Sequence, residues 1–73
     1  LTFTVENIKG FKLKDKEIDE LLANKLVINF AMNSYIDEDF NLTEKIFEDI
    51  EKDEFKLSDE FKDYKEDIIK LVQ

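Results

Sequence analysis

Cysteine, histidine, tryptophan, proline and arginine are all missing from this chain of 73 residues, and glycine occurs once, at Gly10. Without Cys there is no disulfide, no thiolate nucleophile and no thiolate metal site. Without His there is no imidazole base to activate Ser34 or Ser58, and no histidine metal ligand. Without Arg there is no bidentate fork for phosphate, and a single glycine cannot form a phosphate-binding loop. These absences favour a protein that is not an enzyme and has neither a cofactor nor a metal.

What the chain does contain is enough apolar material for one small core. Hydrophobic residues make up 42% of it, and seven Phe and two Tyr supply bulk, whereas a disordered acidic tail would have far fewer. The length allows a single domain, residues 1–73. Because a domain of this size buries only about 60% of its unfolded surface, self-association would add useful burial.

The chain is acidic, and the excess lies in one half of it. There are 11 basic residues, all of them Lys, against 19 acidic ones, which gives a net charge of −8. Residues 1–36 are balanced, so residues 37–73 carry the whole excess. A field of this sign repels phosphates and argues against direct binding of nucleic acid. The one basic cluster, which we expect to face solvent, comprises Lys9, Lys12, Lys14 and Lys16.

Alternation of apolar and polar residues at the N-terminus is typical of strands. Residues 1–5 alternate apolar residues with threonines, and residues 11–14 alternate apolar residues with lysines. Between them, Asn7 and Gly10 favour a turn. We therefore predict a β-hairpin over residues 1–14, packed on helices because two strands alone are marginally stable.

A long helix is predicted over residues 15–36, with Asp15 as its N-terminal cap. No turn signal interrupts the segment. From Leu26 to Ile36 apolar residues surround the helix on all sides, which is typical of a buried helix. A buried strand over residues 25–30 is the alternative, because Val, Ile and Phe favour strands.

Two shorter helices are predicted in the acidic half. The polar segment 37–41 precedes the first, which Thr43 is placed to cap, and Ser58 is placed to cap the second. The second carries a clear apolar stripe, made of Phe61, Tyr64, Ile68, Leu71 and Val72. The predicted fold class is small α+β, an N-terminal β-hairpin packed on three helices. An all-α three-helix domain with an extended N-terminal arm is the alternative.

The outer faces of these two helices are the candidate partner-binding surface. Acidic residues lie away from the apolar stripes: Glu44, Glu48 and Glu51 on the first helix, and Asp59, Asp63, Glu66 and Asp67 on the second. Carboxylates one helical turn apart repeat about every 6 Å and imitate a row of phosphates coarsely. A solvated face that keeps the protein soluble is the alternative.

Two aromatic residues at helix ends, Phe40 and Phe55, lie off the main apolar stripes. An apolar side chain ringed by acidic residues is typical of a hot spot for a basic partner, so we predict either residue as an anchor. For Phe55, burial beneath the turn against Phe61 is an equal alternative.

One acidic segment resembles the calcium loop of EF-hand proteins. Asp37, Asp39, Asn41 and Glu48 match positions 1, 3, 5 and 12 of that loop, but Leu42 stands where its sharp turn needs Gly. A degenerate calcium-binding helical module is therefore a lesser alternative.

In composition alone, the chain is similar to small phage-encoded counter-defence proteins, which include anti-CRISPR proteins and DNA-mimic inhibitors. It is short, acidic, free of Cys and rich in Lys, Ile, Asn and Phe. The resemblance implies an inhibitor and assigns no role to any residue. We expect a non-catalytic acidic module that occupies the basic surface of a nucleic-acid-handling protein. A homo-oligomeric assembly or scaffold module, with a homodimer formed through the apolar segment 26–36, is the alternative.

No apolar run approaches the roughly 20 residues that a membrane span needs. No export signal is visible either, so we expect the cytoplasm and no membrane partner.

Overall fold

The computed structural model describes residues 2–73 and confirms a small α+β fold, in which a short hairpin near the N-terminus packs with helices. The α-helices are α1 (Val5–Ile8), α2 (Glu20–Met32), α3 (Glu44–Glu51) and α4 (Lys65–Val72), with a 3-10 helix at Asp59–Tyr64 leading into α4. The antiparallel strands are β1 (Lys12–Leu13) and β2 (Lys16–Glu17). None of the helices described is long and apolar enough to cross a membrane.

The hairpin predicted over residues 1–14 is wrong in position, because residues 5–8 form a helix. Thr4 caps α1, its hydroxyl accepting a hydrogen bond from the backbone N–H of Asn7 at 3.3 Å. Leu1, which the prediction assigned to the first strand, lies outside the described residues. The alternation therefore does not give the predicted strand, because Thr4 starts a short helix at Val5.

The observed hairpin turns tightly between β1 and β2. Leu13 pairs with Lys16, so only Lys14 and Asp15 form the loop, with φ angles of +49° and +60°. Two-residue loops with positive φ at both positions are usually Asn-Gly or Asp-Gly. Lys-Asp lacks that signature, and Asp15 consequently belongs to a turn, not to the start of a helix.

α2 begins later than predicted because Asp19 is its cap. The Asp19 carboxylate accepts the backbone N–H of Leu22 at 2.8 Å, and the helix starts at Glu20. Residues 25–30 lie inside it, so the helix prediction for that segment is confirmed over the strand alternative.

α2 also ends earlier than predicted, at Met32. Ser34 adopts φ +61°, and the amides of Ser34 and Tyr35 donate to the carbonyls of Ala31 (3.1 Å) and Phe30 (2.8 Å). This is the Schellman arrangement, which usually places Gly or Asn at the left-handed position. The chain then runs extended, and Ile36 bridges to Leu42.

Aromatic contacts against α2 form the centre of the core. Phe3 stacks on Phe30 with ring centroids 4.1 Å apart, and Tyr35 and Phe55 meet Phe30 edge-on at 5.9 and 6.0 Å. Residues from every other α-helix and from the 3-10 helix complete it, including Ile8, Ile46, Phe61 and Ile68.

Burial of residues 26–36 on all sides is a prediction that the structure contradicts. Leu26 and Phe30 are fully buried, but Ile28 and Met32 are exposed on the other side of α2. The core elements pack on the opposite side, so these two side chains stay largely uncovered within residues 2–73.

Candidate protein-binding surface

α3 presents an acidic surface with an aromatic residue at its edge. Ile46 is fully buried, and at 100° per residue Phe47, Glu51, Glu44 and Glu48 follow within an arc of about 100° on the outer side. All four are exposed, and 38% of the Phe47 surface is accessible. We call these four residues the acidic α3 face.

The three glutamates of the acidic α3 face take part in none of the ion pairs found among residues 2–73. Those pairs are Lys25–Glu60, Lys45–Asp49, Lys62–Asp59 and Lys65–Asp53. Glu44, Glu48 and Glu51 stand about 4.5 to 6 Å apart along the helix axis, given a rise of 1.5 Å per residue. The predicted acidic row on this helix is therefore present, exposed and not neutralised within the described chain.

A network on the inner side of α3 fixes how this helix lies on the core. The Tyr35 hydroxyl donates to the Asp49 carboxylate at 2.6 Å and accepts the backbone N–H of Lys56 at 3.0 Å. Burial, followed by the hydrogen bond to Asp49, raises the pKa of Tyr35 to about 12. The same hydrogen bond lowers the pKa of Asp49.

Lys45 belongs to this inner network. Its ammonium lies 3.4 Å from the Asp49 carboxylate and 5.0 Å from the centre of the Tyr35 ring. In this structure the Lys45 ammonium therefore faces Asp49 and Tyr35, not the outer glutamates.

The second predicted acidic group has different surroundings. Asp59 pairs with Lys62 at 2.8 Å, and the hydrogen bond from Lys62 lowers the pKa of the Asp59 carboxyl. Asp67 is partly buried and accepts the backbone N–H of Lys14 at 2.9 Å. Lys62 thus neutralises Asp59, and Asp67 is partly buried, so this group offers two exposed carboxylates outside the ion pairs of the described chain, against three on α3.

Asp63 and Glu66, the other two members, remain exposed. They line a shallow depression together with lysines of the hairpin, the 3-10 helix and α4, namely Lys14, Lys62 and Lys65. The seven predicted acidic residues therefore form two groups, one continuous and one mixed with positive charge.

Of the two predicted anchors, only Phe40 is accessible. It lies in the acidic turn at φ +62° with 43% of its surface exposed, and its carbonyl accepts the N–H of Phe3. Phe55 is only 8% exposed, because it packs between Phe30 and Tyr35, so its assignment as a surface anchor is wrong.

Phe47 is the anchor candidate that the sequence analysis missed. Because Phe47 follows Ile46 in the sequence, its hydrophobicity alone does not separate it from the buried side of the helix. On a helical wheel, Phe47 lies about 40° from Glu51 and about 60° from Ile50. Phe47 therefore lies at the boundary between the buried and the acidic sides of the helix.

The segment that resembles a calcium loop uses its first carboxylate within the protein. Asp37 accepts the backbone N–H groups of Asp39 and Asn41, both at 2.9 Å, and so closes the turn before α3. Among residues 2–73, no three acidic side chains converge as a metal site would need.

Comparisons with known proteins found no family model, no curated protein and no solved structure that matches this chain.

Proposed function

We propose that this protein is a non-catalytic, acidic protein-binding module. It inhibits or regulates a nucleic-acid-handling protein by occupying the basic surface on which that protein holds nucleic acid. The acidic α3 face is the part of the molecule that makes the contact.

The observation that carries the proposal is an exposed Phe47 beside three glutamates that no lysine neutralises within the described chain. A partner with a row of Lys or Arg gains charge-assisted hydrogen bonds from Glu44, Glu48 and Glu51. Phe47 adds an apolar contact, and water leaves the partner's surface when it forms. Aromatic residues are enriched at the centres of interfaces.

Electrostatics and shape have separate tasks in this proposal. The net charge of −8 steers a basic partner from a distance and raises the association rate. Because the Tyr35–Asp49 hydrogen bond holds α3 to the core, the glutamates meet the partner on a preorganised helix, and little ordering entropy is lost on binding. We also propose that the protein meets this partner in the cytoplasm.

The test is a pull-down from the lysate of the source cell with the tagged protein, read by mass spectrometry at low salt and at about 0.5 M salt. We expect a nucleic-acid-binding protein at low salt, lost at high salt because screening weakens surface charge pairs. The variant with Glu44, Glu48 and Glu51 all changed to Lys should recover none of it.

A matched control variant has the same change of net charge, made at three glutamates outside the acidic α3 face. Glu6, Glu17 and Glu20 are exposed, and Glu6 and Glu20, like Glu44, lie in the first turn of a helix. Changing these three to Lys should leave most of the capture intact. Equal loss in both triple variants would show that net charge alone drives binding and would contradict the assignment to α3.

A further inference from the structure

We infer that the exposed side of α2 is a self-association surface, on which a second copy of this chain docks. Leu21, Ile28 and Met32 are 65%, 57% and 80% exposed, and together with Lys25 they follow one side of the helix at spacings of four, three and four residues. These three apolar residues are half of the large exposed hydrophobic residues found in the described chain.

A groove of about 450 Å³ runs beside this stripe, between α2 and the segment that leads into the 3-10 helix. Ile28 and Met32 line one side of it and Leu57 the other. Asn29 forms the floor: its amide donates to the carbonyl of Lys56 at 3.2 Å and accepts the N–H of Ser58 at 2.7 Å. Because these groups are already paired, the groove best accommodates an apolar side chain.

The stripe and the groove lie on the same face, which is the requirement for a two-fold interface. In such an interface one patch must be complementary to itself, so that a protruding residue of each copy enters the recess of the other. With the two α2 helices antiparallel and the axis between Lys25 and Ile28, Met32 of each copy lies between Leu21 and Lys25 of the other. The aliphatic stem of Lys25 then covers Met32, while its ammonium stays with Glu60, 3.4 Å away.

The charge distribution favours this face as the place where two copies of the chain meet. Two molecules of net charge −8 repel each other wherever their acidic halves meet. α2 has only two charged residues, Glu20 and Lys25, which sum to zero, and the groove adds Lys56 and Glu60 with opposite signs. Copies of this chain can therefore approach along α2 without that repulsion.

The experiment is sedimentation velocity on the full chain from about 10 μM to about 0.5 mM, a range that reports weak association. The predicted result is a shift, with rising concentration, from 8.7 kDa towards twice that mass. Met32→Lys should raise the dimer dissociation constant at least about tenfold. Leu21→Lys gives a second, independent variant on the same stripe.

Phe11→Lys is the matched control, because Phe11 is also a large exposed residue, 52% accessible, but lies beside the hairpin. It should dimerise like the wild-type chain. If the protein stays monomeric over the whole concentration range, the groove is a site for a different protein, and the inference is overturned. Dimerisation that Met32→Lys and Leu21→Lys leave unchanged would overturn it as well. The acidic α3 face is intact in these variants, so failure here leaves the proposed function standing.

Discussion

At the scale of single residues, the side chains of Asn29 and Tyr35 hold a neighbouring segment of the backbone in place. Residues 54–58 have no regular secondary structure. The backbone of Lys56 and Ser58 is bonded instead by the side chains of Asn29 and Tyr35. Partly buried backbone groups gain from partners, and here side chains supply them.

Asn29→Ala should lower the free energy of unfolding by about 2 kcal/mol, because it leaves the carbonyl of Lys56 and the amide of Ser58 without partners. Urea unfolding measures the change. Asn24→Ala on the same helix is the control. Asn24 is exposed and bonds only to the carbonyl of Glu20, so its loss should change stability by less than about 0.5 kcal/mol. Similar values for both variants would contradict the role given to Asn29.

Tyr35 makes the free energy of unfolding depend on pH in the alkaline range. Its pKa is about 12 in the folded protein against an ordinary value of 10, so between these values the unfolded chain releases a proton that the folded protein keeps. The stabilisation is complete below pH 10 and is lost as pH rises towards 12. Urea unfolding from pH 9 to 12 should therefore show a steeper loss for the wild-type protein than for Tyr35→Phe. Parallel curves for the two proteins would contradict the account.

At the scale of elements, turns and helix ends explain where prediction failed. The chain has one glycine, so Lys14, Asp15, Ser34, Phe40 and Asp53 occupy left-handed backbone that usually signals Gly or Asn. The hairpin turn and the end of α2 consequently carried no recognisable signal. The helical character of residues 25–30 and the stripe through Phe61 and Ile68 were predictable, because burial follows their periodicity.

The hairpin turn gives a test at this scale. Lys14→Asn combined with Asp15→Gly installs the pair that a two-residue loop prefers and should raise the free energy of unfolding by about 1 kcal/mol. Asp19→Ala removes the cap of α2 and should lower it by about 1 kcal/mol. Urea unfolding of the two variants compares them directly. A helix that began at Asp15 would make the double change destabilising and leave Asp19→Ala nearly neutral.

At the scale of the whole molecule, the uneven charge of the sequence gives the folded protein distinct acidic, mixed-charge and apolar surfaces. The acidic half forms one face without ion pairs in the described chain, on α3, and one region interrupted by lysines, around the 3-10 helix and α4. α2, from the balanced half, exposes an apolar side instead. Counting charges predicted the acidic row on α3, but not the contact of Asp67 with Lys14, because these residues are 53 positions apart and meet only in the folded chain.

The central claim is that the acidic α3 face and nucleic acid compete for the same surface of a partner. The most direct measurement is displacement of a labelled DNA duplex from the partner recovered by the pull-down, followed by fluorescence anisotropy. The wild-type protein should release the DNA, and the variant with Glu44, Glu48 and Glu51 changed to Gln should need at least about tenfold more protein, as should Phe47→Ala. Release of DNA by these variants at wild-type concentrations, or binding of the wild-type protein without release of DNA, would contradict the account.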